Sequence, residues 1–305
     1  MKIMENTPPS PKSESFLTDL KNYSGTVINV NQSAREFFFK QHPLHLFLVL
    51  VIPVFASILI FSNFVSVGII NSSAILTPIF LACFPLIIPA VSYWRVSSRM
   101  ESLFYAELAT TLNCTYSEKG VTPETGQLFS FGDGRMVTNV LAGTYKDISI
   151  LLADYRYGTG SGKSRETYYY TISELITKEV LPHIVCIPTA WHSVILDKWK
   201  PSENESLTLE GNFNSKFTVY VPKGKEIEAL QILEPDVMTK LMDGYDDFGF
   251  ECVGSNVYLF TTGSMDENRE SVISMYTIVQ RFCDILLPEL QTFSNTSTVQ
   301  TVPTT

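Results

Sequence analysis

Between residues 44 and 94 the mixture of polar and apolar positions gives way to a run with no Asp, Glu, Lys or Arg, framed by Arg35 and Lys40 before it and Arg95 and Arg99 after it. The run is too long for one membrane span and divides at the polar patch around Gly68 and Asn71 to Ser73. Residues 44–64 and 74–94 each supply about 21 residues, roughly 32 Å of helix, enough to cross a hydrocarbon core. The pattern predicts an N-terminal transmembrane helical hairpin. Pro53, Pro78, Pro85 and Pro89 are tolerated in such helices because neighbouring groups satisfy the freed carbonyls, with kinks expected in the second span. A buried hairpin in a soluble core is the competing reading, but core helices seldom run this long without charge.

After the second span, residues 95–112 keep helical spacing through Leu103, Phe104, Leu108 and Leu112, so the helix is expected to run on to Asn113 and to join anchor and domain stiffly. From Cys114 the texture changes to short β-branched and aromatic segments separated by Gly, Asp, Asn and Pro. Strands are predicted at 127–131, 136–141, 148–157, 166–175, 183–187, 217–221, 248–252 and 257–261. Pro235 at a first-turn position and Gly244 beyond the end bracket a short helix carrying Val237, Met238 and Leu241. Ser264 with Glu267 reads as a capping box opening a last helix, whose Val272, Tyr276, Val279, Phe282 and Leu286 form one stripe fit to pack on a sheet. The predicted class is α+β, the helical hairpin followed by an antiparallel β-rich domain with a C-terminal packing helix. The domain occupies 95–290. Residues 1–43 form an N-terminus whose first roughly 30 residues, rich in Ser, Thr, Asn and Pro, are expected to be disordered before a juxtamembrane stretch, and the tail 291–305 is expected to be disordered as well.

Charge sets orientation and excludes partners. Basic residues resist translocation and the connecting loop carries none, so both termini are expected in the cytoplasm, with Tyr93 and Trp94 at the interface. A cleaved signal peptide is not expected, because about 43 residues precede the apolar run. The net charge of −9 lies almost wholly in the domain, which argues against nucleic acid and against broad adhesion to anionic lipid. Cys83, Cys114, Cys186, Cys252 and Cys283 are far apart and lack CxxC spacing, so they read as reduced, mostly buried thiols. No cofactor is implied.

Residues 157–164, YGTGSGKS, nearly spell a phosphate-binding loop. Tyr157 stands where the pattern needs Gly, and the strand-like residues 166–172 follow where a helix should begin. The segment reads instead as a glycine-rich hairpin tip, with Gly160, Ser161, Gly162, Lys163 and Arg165 as a candidate interaction loop. His183 and His192, nine residues apart with Pro188 and Trp191 between them, match no metal-ligand spacing. Asp246, Asp247 and Glu251 read as a turn followed by a solvated strand face rather than as catalytic carboxylates. No catalytic residue is assigned.

Several of these segments carry a resemblance. Asn139 to Gly143 (NVLAG), Leu152 to Tyr157 (LADYRY), Gly160 to Lys163 (GSGK) and Thr167 resemble a signature in uncharacterised bacterial two-span membrane proteins, whose domain of unknown function carries a DYxYxTGSGK-like hairpin. Leu209 to Phe213, Phe217 to Pro222, Leu230 to Met238 and Val257 to Phe260 are similar to the same group. Gly158 departs from it, since a Thr or other β-former is expected there. The resemblance implies a bacterial plasma-membrane anchor and a cytoplasmic α+β domain, and brings no substrate, cofactor or catalytic residue. The expected function is a non-enzymatic binding or scaffold module at the cytoplasmic membrane face, integral to the bilayer, with a protein partner or a second copy of itself. The alternative is a membrane-bound hydrolase or nucleotide-dependent enzyme using the 158–164 loop.

Overall fold

A computed structural model describes residues 35–36, 40, 43–66, 87–191, 204–209, 211–243, 248–265 and 269–299. The described residues divide into two compact units, one within residues 1–107 together with Arg269 and one within residues 108–266 and 270–305.

In the first unit, helix α1 spans Pro43–Ser66 and contains no charged residue. Pro43 occupies a first-turn position, where its missing N–H costs nothing. Helix α2, Ile87–Thr111, runs on from the last eight residues of the expected second span. The rest of that span lies outside the described residues. Among the described residues no helix is long and apolar enough to cross a membrane. In α1 the side chains of 43–50, 52–54 and 64 are outside the description.

Among the described residues the second unit is built on seven antiparallel strands: β1 Thr115–Lys119, β2 Asp133–Tyr145, β3 Ile148–Thr159, β4 Glu166–Pro188, β5 Asn204–Leu207, β6 Phe217–Pro222 and β7 Gly249–Thr262. Their order is β1-β2-β3-β4-β6-β5, with β7 on the other edge of β4. Helices α3 Phe213–Lys216, α4 Glu226–Ile232, α5 Pro235–Met242 and α6 Arg269–Val299, with 3-10 turns at Leu128–Ser130, Gly162–Ser164 and Thr189–Trp191, complete the described elements. Mixed α and β structure around an antiparallel sheet is thus present.

Helix α2 ends as the sequence predicts. Asn113 adopts a positive φ of 54°, Cys114 N–H donates to Ala109 O at 2.7 Å and Asn113 N–H to Thr110 O at 3.3 Å. This is a Schellman closure, with Asn tolerating the left-handed position that a β-branched residue would resist. The stripe on α6 is buried at Val272, Tyr276, Val279, Phe282 and Leu286. Phe282 meets Phe248 and Phe250 at ring distances of 5.9 and 5.2 Å, so the stripe packs beside the start of β7.

Several expectations change. The predicted strand at 127–131 is a 3-10 turn, Leu128–Ser130, because Leu128 and Phe129 are both buried, which a two-residue alternation cannot give. Gly126 and Gly132, both at positive φ, close the segment on either side. The strands predicted at 166–175 and 183–187 are one strand, β4, as are those at 248–252 and 257–261, β7. Each is continuous through an irregular stretch between Ile176 and Ile184, opposite Gly254 at φ 60°. A bulge bends a strand without ending it, so polar punctuation there imitated a turn. The tail expected to be loose from 291 is helical to Val299, with Pro288 inside the helix. Glu267 of the expected capping box, Gly244, Asp246, Asp247 and His192 lie outside the described residues.

Because of its bend, β7 doubles back. A Cβ placed on Gly249 would come within 2.6 Å of the Phe260 ring eleven residues later in the same strand. One face of the sheet therefore curves inward. It gathers Ala153, Tyr155 and Tyr157 of β3, Tyr170, Ile172, Val185 and Ile187 of β4, Tyr220 of β6, and Tyr258 and Phe260 of β7 into one core.

Candidate functional site

Residues 120–132, here termed the strap, cross this tyrosine-rich face. Gly120 N–H donates to Val137 O at one end. Thr125 Oγ1 lies 2.8 Å from the Tyr258 hydroxyl, and the Phe129 ring stands edge-on to Tyr155 and Tyr258 at 5.1 and 4.9 Å. Arg135 gathers the far end by donating to the carbonyls of Ser130, Phe131 and Gly132.

The strap is held at its middle by an ionisable pair that sequence reading missed. Glu251, 1% exposed, accepts from Gln127 N–H at 2.7 Å through Oε2 and lies 2.8 Å from His183 Nε2 through Oε1. The reading of Glu251 as part of a solvated strand face is overturned. Its parity matches Val185 directly across β4, and the inward bend buries that face. His183, with a side chain 28% exposed, closes the cluster toward solvent. Sixty-eight residues separate the pair, and only a correct strand register brings the two together. This arrangement holds a carboxylate and fixes an imidazole. Its described contacts attach the strap to the sheet. Two buried polar atoms, Tyr155 Oη on the sheet and Gln127 Oε1 on the strap itself, have no described hydrogen-bond partner.

Burial pushes the hydroxyls of Tyr155 and Tyr258 up to about 12, Arg135 opposing the shift at Tyr155 and the Thr125 bond opposing it at Tyr258. Tyr170 is raised as well, by burial first and then by its bond to the Tyr157 hydroxyl at 3.5 Å. A group whose pKa is higher in the folded chain contributes stability that is complete below its unfolded value near 10 and vanishes as pH climbs through the folded value. The fold is therefore expected to weaken between pH 10 and about 12. Far-UV circular dichroism followed together with tyrosinate absorbance checks this. Loss of structure should accompany ionisation of the buried tyrosines, whereas their ionisation near 10 in an intact fold would contradict the burial argument.

The sequence-predicted loop lies elsewhere, at the tip between β3 and β4. Gly160, Ser161, Gly162, Lys163 and Arg165 are all exposed. Gly160 and Gly162 take positive φ of 81° and 58°, and Ser164 donates through both N–H and hydroxyl to Ser161 O. The loop thus closes on itself and passes into a strand. Arg165 is not a free cation: its guanidinium pairs with Asp133 at 2.5 Å. It also lies over Gly158, where a Cβ would meet its Nη2 at 2.4 Å. That contact explains the glycine where a β-former is expected. Lys163 is the exposed base of the tip.

Two neighbouring glycines make this testable. Gly132 has φ 62°, and a Cβ there would stand 2.4 Å from the backbone oxygen of Gly158, which cannot move aside. Gly132→Ala is expected to cost about 2 kcal/mol or more, through left-handed strain plus the clash. Gly158→Ala needs only the Arg165 side chain to swing away and should cost about 0.5 kcal/mol, the scale of an exposed ion pair. Urea unfolding of the two variants checks the contrast, and equal losses would refute it.

Other signature residues have structural duties. Asn139 sits at a bulge of β2 with φ 54°, donates to Asp154 Oδ2 at 3.1 Å and accepts from the Tyr116 hydroxyl at 3.4 Å. Asp154 Oδ1 accepts Met265 N–H at 2.8 Å, tying the chain after β7 to β3. Gly143 leaves room for the Cys114 sulfur, which a Cβ would meet at 2.7 Å. Among the described cysteines, all four are free thiols, with Cys186, Cys252 and Cys283 buried. Burial raises the pKa of each of these three, suiting inert core residues rather than nucleophiles.

No protein-family model matches the chain, and no curated protein matches it. Among solved structures, the crystal structure of the mycobacterial trehalose monomycolate transport factor A, TtfA, is similar at 13% identity and a TM-score of 0.43, over 60% of this chain and 92% of that one. A likeness at this level carries no inference about activity.

Proposed function

We propose that the protein is a membrane-anchored binding or scaffold module, held by a helical hairpin at residues 44–94 with both termini and the sheet domain in the cytoplasm. The observation that carries the reading is the charge-free run with basic residues at both ends, followed by a domain that presents a self-closed, exposed hairpin tip. Basic flanks keep their side of a span from crossing, while the loop between the spans has none to retain it.

The geometry of the tip favours docking over nucleotide chemistry. A phosphate cradle needs several free amides converging at a helix N-terminus. Here Ser164 N–H is taken by Ser161 O, and β4 follows. Lys163 on an exposed, glycine-shaped tip suits contact with a partner surface instead. A photo-crosslinker placed at Lys163 in intact cells should give a discrete protein adduct that disappears when residues 158–164 are replaced by a two-residue turn. Absence of any adduct, together with Lys163-dependent nucleotide hydrolysis by the purified chain, would overturn the reading.

A further inference from the structure

The first unit carries a cationic group that the acidic character of the whole chain conceals. Val91, Arg95 and Arg99 succeed one another four residues apart on α2, so they share one face, and all three are exposed. At 1.5 Å per residue the two arginines stand about 6 Å apart along the helix. Trp94 projects beside them at 68% exposure, and Val91 at 41% begins the apolar side. Farther along the same face come Ser102, Ala106 and Thr110, which are uncharged. Cationic character on this face is thus confined to the turn where the apolar run ends.

Glu107 is engaged by Arg269 at 2.7 Å, and among the described residues neither Arg95 nor Arg99 has an ion-pair partner. A guanidinium offers a planar fork of donors matched to phosphate oxygens, and two of them one turn apart can hold a single phosphodiester between them. An indole at the same level suits the headgroup layer, where its ring meets acyl chains and its N–H meets water.

We propose that Trp94, Arg95 and Arg99 form a headgroup site for an anionic phospholipid, one that gives the anchor a lipid preference although the chain as a whole is acidic. The proposal rests on the membrane-anchor reading above, and charge complementarity at the end of the apolar run selects the occupant. A second arginine raises affinity without adding insertion energy, so lipid selectivity and membrane retention are separable quantities.

The test reconstitutes the full chain into vesicles of phosphatidylcholine containing phosphatidylglycerol and measures the relative association of spin-labelled forms of the two lipids. Each arginine near the surface is expected to favour the anionic lipid by about fivefold. The Arg95→Gln, Arg99→Gln double variant should bring the preference down toward unity, while the Arg35→Gln, Lys40→Gln variant should keep most of it. Millimolar inorganic phosphate should not displace the labelled lipid. A preference unchanged in the Arg95/Arg99 variant, a wild-type preference of one, or displacement by phosphate would overturn the site while leaving the anchor intact. Removal of the wild-type chain from vesicles by alkaline carbonate would instead overturn the anchor, and the site with it.

Discussion

Replacing Glu251 with alanine is expected to lower the unfolding free energy by about 3 kcal/mol, the scale observed when a buried polar network loses its acceptor. Two donors are stranded by the change, Gln127 N–H at 2.7 Å and His183 Nε2 at 2.8 Å, in a place where Glu251 itself is 1% exposed. Water enters poorly beside Gln127, so its N–H regains no partner without moving the strap, whereas His183 can turn to solvent. Glu251→Gln keeps an acceptor for Gln127 N–H and should lose only about 1 kcal/mol. His183→Ala should fall between neutrality and that value, because its side chain already meets solvent. Urea unfolding of the three variants checks the order, and amide hydrogen exchange at Gln127 gives a local readout. An alanine variant within about 0.5 kcal/mol of the parent, with Gln127 exchange unchanged, would show that the strap is held by its aromatic contacts alone.

On the anchor proposed above, the Phe55→Asp, Leu59→Asp double substitution is expected to keep residues 44–64 out of the bilayer. The two positions lie one turn apart near the middle of α1 and are 66% and 59% exposed, so the parent side chains suit contact with lipid. An aspartate at a span centre raises the insertion free energy by about 3 kcal/mol, and two add to about 6, more than the apolar residues of one helix readily offset. Topology gives the readout. With Ser72→Cys as a probe between the spans, an impermeant maleimide should label the otherwise unchanged chain in intact cells and should fail to label the double-aspartate chain. Equal labelling of both would mean that residues 44–64 do not form the first crossing.

What could be read from sequence divides along physical lines. The end of α2 at Asn113, the α6 stripe from Val272 to Leu286, and Pro235 opening α5 follow local rules, because capping and periodicity are written within a few residues. The hairpin tip was legible for the same reason: Gly160 and Gly162 supply the positive φ that the turn requires. By contrast, the residues of β4 and β7 each spell two strands, since the polar stretch after Ile176 in β4 and Gly254 in β7 suit a bulge and a turn equally. Losing that bend lost the inward face, and with it the burial of Glu251 and its meeting with His183. The strap imitates a strand for a related reason. Leu128 and Phe129 look like strand residues until tertiary contacts with Tyr155 and Tyr258 bury both in succession. Gly158, an exception within the signature, became intelligible only once Arg165 was seen lying across it.

The location of the sheet domain is the claim on which the functional reading depends, and thiol accessibility tests it most directly. The native thiol Cys252 is unsuitable, because it is fully buried and its pKa is raised by that burial. Lys163→Cys places the probe on the exposed tip instead. Sealed cells carrying this variant are treated with an impermeant maleimide before or after lysis, and labelling is scored on the chain recovered from the membrane pellet. With the domain in the cytoplasm, label enters the pelleted chain only after lysis. Label on the introduced thiol before lysis, or a chain recovered wholly outside the pellet, contradicts a cytoplasmic domain held to the membrane by residues 44–94.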